Sequence, residues 1–71
     1  MTKEESKAAF TFMKICEDGQ RTNIARLKDM IKNASKTEVD FLTNVLIQME
    51  DKLRGMIRGR IRAEKQLKAL S

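Results

Sequence analysis

The side chains that carry most enzymatic chemistry are thinly represented in this chain. Among its 71 residues there is no His, no Tyr and no Trp, and one cysteine, Cys16. A cysteine becomes a nucleophile when a neighbouring base or positive charge favours its thiolate. The residues one helical turn from Cys16 are Phe12, Met13 and Gln20, none of them a base, so Cys16 is expected to be a small buried hydrophobe. Glu17 and Asp18 are adjacent carboxylates, but they stand beside Gly19 where the apolar pattern breaks, and they read as a solvated turn rather than an acid/base pair. There is no glycine-rich phosphate loop. No catalytic, cofactor-binding or metal-ligating residue is expected, and an enzyme is not.

The chemistry that remains is charge. Residues 1–51 hold eight basic and nine acidic side chains and residues 52–71 hold seven basic and one acidic, so +6 sits in the last 20 residues against −1 elsewhere, giving +5 overall. Such a block attracts a polyanion or an acidic protein surface. Arg54, Arg58, Arg62, Lys65 and Lys68 step along one outer face, with Ile57 and Ile61 beside them. A charge run of this kind also solubilises a helix and suits the negative end of its dipole.

These residues need a helix to position them. Ser35 and Glu38 have the spacing of a capping box. From there Val39, Leu42, Leu46, Met49, Leu53, Met56, Arg60, Ala63, Leu67 and Leu70 recur at steps of three and four, a heptad seam with one charged member. The resulting helix is roughly 50 Å long, too long to fold over a core of its own. Between Val39 and Met49 it also carries Phe41, Val45 and Ile47, which makes it apolar nearly all round and asks for cover on more than one side. From residue 53 to residue 71 it narrows into a basic extension.

Upstream, Thr2 and Glu5 form a second candidate capping box. Ala9, Phe12, Met13 and Cys16 make one helical face, flanked by Phe10 and Ile15, and Ile24, Leu27, Ile31 and Ala34 resume such a face after Gly19. Gly19 either ends the first helix or sits inside it at a cost of about 1 kcal/mol relative to Ala. The expected fold is all-α, a single helical domain over residues 1–71. It is an antiparallel hairpin with a first arm kinked or broken near Gly19, a short turn at Asn33, Ala34 and Ser35, and a long C-terminal helix. A chain of this length buries only about 60% of the surface it exposes when unfolded. With no disulfide or metal cluster to staple it, assembly into an oligomeric helical bundle or coiled coil is expected, as a dimer or tetramer through Val39, Leu42, Val45, Leu46, Met49, Leu53 and Met56.

Three details refine this. Gly55 and Gly59 lie one turn apart on one face, where a missing Cβ admits another backbone or leaves the helix locally weak. Arg60 in the seam lowers stability but can set register or choice of partner. The five methionines fit an adaptable interface but, at helical spacing, read first as core. A helix-turn-helix reading would make the helix after Ser35 the reader of base edges. Its opening turns instead present Glu38, Asp40, Phe41 and Leu42, leaving Lys36, Thr37 and Asn44 as the only candidates.

The N-terminal Lys3, Glu4, Glu5, Ser6 and Lys7 do not read as a secretory signal, and no stretch approaches the apolar length of a membrane span. Together with a free cysteine, this leads to an expected cytoplasmic location without membrane contact. The chain resembles small phage-type antirepressors in size and helical character. It also resembles the small helical-hairpin RNA modulators of plasmid copy number in its antiparallel hairpin layout and in beginning Met1-Thr2-Lys3. Neither resemblance assigns a role to an individual residue. The first implies a regulator that captures or modulates a DNA-binding transcription factor. The second implies direct nucleic-acid binding, which here is confined to phosphate contact because the three aromatics, all Phe, lie outside the basic segment. The mixture of Ile57 and Ile61 with Arg54, Arg58, Arg62 and Lys65 is typical of protein interfaces, so binding of a second protein is the favoured expectation and nucleic acid the alternative.

Overall fold

The computed structural model describes residues 2–70. Met1 and Ser71, the ends of the expected 1–71 domain, lie outside the described residues. Two helices, α1 (Lys3–Lys32) and α2 (Lys36–Leu70), pack against each other as a hairpin, and no strand is present among the described residues. The molecule measures 52 × 14 × 14 Å with a radius of gyration of 16.2 Å, against about 11 Å for a compact globule of this length. It is a rod two helices thick.

The ends of α1 follow the sequence. Thr2 is its N-cap, extended in backbone, and its hydroxyl accepts from the Glu5 amide at 3.1 Å, satisfying one of the donors a helix start leaves open. At the other end the amides of Asn33 and Ala34 donate to the carbonyls of Met30 and Ile31, both at 3.2 Å, and Asn33, Ala34 and Ser35 make the expected turn. α2 starts where the Ser35 carbonyl accepts from the amides of Glu38 and Val39, both at 3.0 Å. The Ser35 hydroxyl itself is engaged with the hydroxyl of Thr37 at 3.0 Å.

The expected break at Gly19 is not there: α1 is continuously helical through it, and no glycine among the described residues has a positive φ. Bonds across this turn account for the continuity. Arg21 donates to Glu17 at 2.6 Å, the Thr22 hydroxyl donates to the Asp18 carbonyl at 3.0 Å, and Gln20 Nε2 donates to the Met49 carbonyl of α2 at 3.0 Å. Glu17 and Gln20 therefore continue the inward face. With Met13, Glu17, Gln20, Ile24, Leu27 and Ile31 at steps of four and three, α1 carries its own heptad seam, whose middle is polar.

The core is small. Ile24 and Leu27 are the buried apolar side chains among the described residues, and they lie between two cross-links to α2, the Gln20–Met49 hydrogen bond and the Lys28–Glu50 ion pair at 3.9 Å. In α2 the seam from Val39 to Leu67 is half-buried throughout, and no residue is fully buried. The seam faces α1, and the opposite surface of each helix is open.

Candidate functional site

Arg60, the charged member of the α2 seam, meets Glu17. Arg60 Nε donates to Glu17 Oε2 at 2.6 Å, and Arg21 Nη1 donates to Glu17 Oε1 at 2.6 Å, so both carboxylate oxygens are held by guanidinium groups. Glu17 is 3% exposed, which makes it a buried side chain and not part of a solvated turn. In a helix every side chain leans towards its own N-terminus. In an antiparallel pair Glu17 and Arg60 therefore lean towards each other from levels further apart than their meeting point. Glu64 approaches Arg60 at 3.7 Å and Lys68 at 3.9 Å. Burial by itself would push the Glu17 carboxyl up. The hydrogen bonds from Arg60 and Arg21 and their positive charges outweigh it, and the group is held below its ordinary value of 4.5. Arg60, the charged member of the seam, is thus paired within the hairpin itself, across from α1.

The residues expected to drive assembly, Val39, Leu42, Val45, Leu46, Met49, Leu53 and Met56, are all half-buried. Their heptad spacing is accounted for first by packing on α1. Those expected to bind a partner divide. Arg54 pairs with Asp51 at 3.2 Å and Ile57 is half-buried. Arg58, Ile61, Arg62 and Lys65 line one open groove of about 280 Å³. Ile61 is 42% exposed there, and among the described residues no acidic side chain pairs with Arg58, Arg62 or Lys65. This groove is cationic with an apolar floor.

A second surface is apolar, and composition did not single it out. Phe12, Met13, Cys16, Met56 and Gly59 line a groove of about 230 Å³ between the helices. Cys16 is half-buried in it and free, which is less covered than expected. Phe12 is 66% exposed, Met30 57% and Phe41 68%. At 3.6 residues per turn, Phe12, Cys16, Gly19 and Met30 of α1 and Phe41, Val45 and Gly59 of α2 share one flank of the hairpin. The other flank takes Lys7, Lys14 and Arg21 from α1 and Arg54, Ile61 and Lys65 from α2. The sequence does hold a signal for this division, the phase of the two seams, but it becomes readable only when α1 is one helix.

No protein-family model, curated protein or solved structure matches the chain. Among the described residues no helix is long and apolar enough to cross a membrane.

Proposed function

We propose that this chain is a small non-enzymatic regulator that works as an oligomer in the cytoplasm and binds a second protein. The kind of partner read from its sequence is a DNA-binding transcription factor. The observation that carries the proposal is the groove of Arg58, Ile61, Arg62 and Lys65: three cations with no acidic partner among the described residues, around an exposed isoleucine. An acidic surface of a partner would neutralise the cations while an apolar side chain covers Ile61, a combination of charge pairing at the rim and desolvation at the centre that protein interfaces use. Phosphates would use the cations and leave Ile61 in water.

A second reading, phosphate-mediated nucleic-acid binding, is supported by Lys7 and Lys14, which stand on the same flank as Arg54 and Lys65. The two are separated by titrating the protein with a synthetic amphipathic helix bearing Glu and Leu, with polyglutamate of equal charge, and with random duplex DNA and RNA, each at several salt concentrations. The protein-binding proposal requires the amphipathic helix to bind better than polyglutamate. It also requires Ile61→Asp to weaken that binding by about thirtyfold, more than Arg62→Ala does. Tight duplex binding with a log–log salt slope of about −4 or steeper, and a larger loss for Arg62→Ala, would transfer the function to nucleic acid.

A further inference from the structure

We infer that the apolar flank is the docking surface for a second copy of this chain, laid antiparallel across the first so that the two hairpins form a four-helix bundle with its two-fold axis beside Cys16. This rests on the oligomeric reading above and specifies the surface and geometry that would serve it.

The hairpin exposes 5558 Å², where a compact monomer of its mass exposes about 4,500 Å². The excess, about 1,000 Å², is close to the roughly 800 Å² that each partner contributes to a stable interface. The flank is also nearly neutral in a chain of net charge +5. Among the described residues its charged members are Glu5, Arg26, Glu38 and Lys52, two of each sign. An acidic or basic partner has little to recognise there, whereas two copies meet with one like-charge pair, Lys52 facing Lys52 near the axis.

The lengthwise order of side chains selects the antiparallel arrangement. At 1.5 Å per residue, Met30 and Phe41 stand about 6–10 Å from the turn end of the 52 Å rod. Ala9, Gly59 and Ala63 stand about 36–44 Å from it. Turning a second copy end for end about an axis across the rod stacks α1 on α1 and α2 on α2. Phe41 then meets the partner copy at the level of Ala63, and Val45 at the level of Gly59. Glu5 comes to the level of Arg26 of the other copy. A parallel copy would crowd Phe41 against Met30 at one end, leave the small residues facing each other at the other, and bring the two +6 segments together. In the antiparallel bundle those segments lie at opposite ends. Lys52 falls near the axis, where its stem can carry the ammonium out to water.

Gly59 offers the cleanest lever. A Cβ built on it meets nothing within 4 Å in the hairpin, so a side chain starts there without a clash and a leucine extends into the groove that a second copy would have to enter. Cys16 is the second lever. It lies about 27 Å from the turn end, almost at the middle of the rod, so the two Cys16 thiols face each other across the axis. A parallel copy stacks α1 on α2 and so leaves the two Cys16 on diagonal helices, about 11–14 Å apart.

The experiment is light scattering and mild oxidation of the full chain, wild type and Gly59→Leu, with helicity followed by circular dichroism. A wild-type dimer that becomes disulfide-linked through Cys16, and a Gly59→Leu monomer of unchanged helicity that does not, is the expected result. A wild-type monomer at about 100 µM, well above the Kd of a standard interface, would overturn both this proposal and the oligomeric reading. A wild-type oligomer whose Cys16 fails to link, or whose mass Gly59→Leu leaves unchanged, would overturn this surface alone. The wild-type oxidation decides the geometry even if Gly59→Leu does not fold.

Discussion

Leu27→Ala tests where the hairpin keeps its core. Leu27 is 7% exposed and shares the buried apolar interior with Ile24. Truncating a buried leucine costs about 2–5 kcal/mol, depending on how well the site collapses. This rod is only 14 Å across and its seam is half-open, so collapse is easy and the cost falls at about 2–3 kcal/mol. A chain of this size has about 4–10 kcal/mol of stability in all, so one methyl-bearing side chain holds a large share of it. At about 4–8 °C per kcal/mol, Tm falls by about 10–20 °C. Phe12→Ala is the control. At 66% exposed the ring has little burial to lose within a single hairpin, and its removal costs under about 1 kcal/mol. Thermal melts followed by circular dichroism, run at a concentration low enough to separate copies, measure both. A loss of less than about 5 °C for Leu27→Ala, or a larger loss for Phe12→Ala, would refute the placement of the core between Gln20 and Lys28. When the melts are repeated at high concentration, a Phe12→Ala cost that rises towards that of Leu27→Ala would show that ring buried by a second molecule.

Two further outcomes follow from the middle of the rod. Because the folded-state pKa of Glu17 lies below its ordinary value of 4.5, its contribution to stability is present above that value and disappears as pH falls through the lowered one. The wild type should therefore lose more Tm than Glu17→Gln between about pH 5 and about pH 3. Parallel acid profiles of the two proteins would show that the carboxylate is not held by Arg60 and Arg21. Gly19→Ala should stabilise the chain by about 1 kcal/mol, since the position is helical and open, which raises Tm by about 4–8 °C. A drop in Tm would mean that the chain needs a glycine conformation at residue 19.

The helical arms, the turn at Asn33 to Ser35 and the seam of α2 are legible from the order of residues alone. These features rest on local chemistry, namely the Thr2 cap, the helical period and the absence of proline, whereas the expected Ser35–Glu38 capping box is not made, the Ser35 hydroxyl turning to Thr37. The same reading placed Arg58, Ile61, Arg62 and Lys65 on one face, because residues three and four apart on a helix are neighbours whatever the helix packs on. It misjudged Glu17 and Gly19, which locally resemble a turn: two carboxylates and a glycine. Only the tertiary structure supplied what overrides that local signal. Arg60 arrives from 43 positions further along the chain to pair with Glu17, and Gln20 reaches the Met49 carbonyl. With those partners in place a charged residue can be buried and the helix continues through the glycine. The division into an apolar flank and a cationic flank was decided at the same step. Each helix carries both kinds of residue around its circumference, and which of them end on the same side depends on how the two seams face each other.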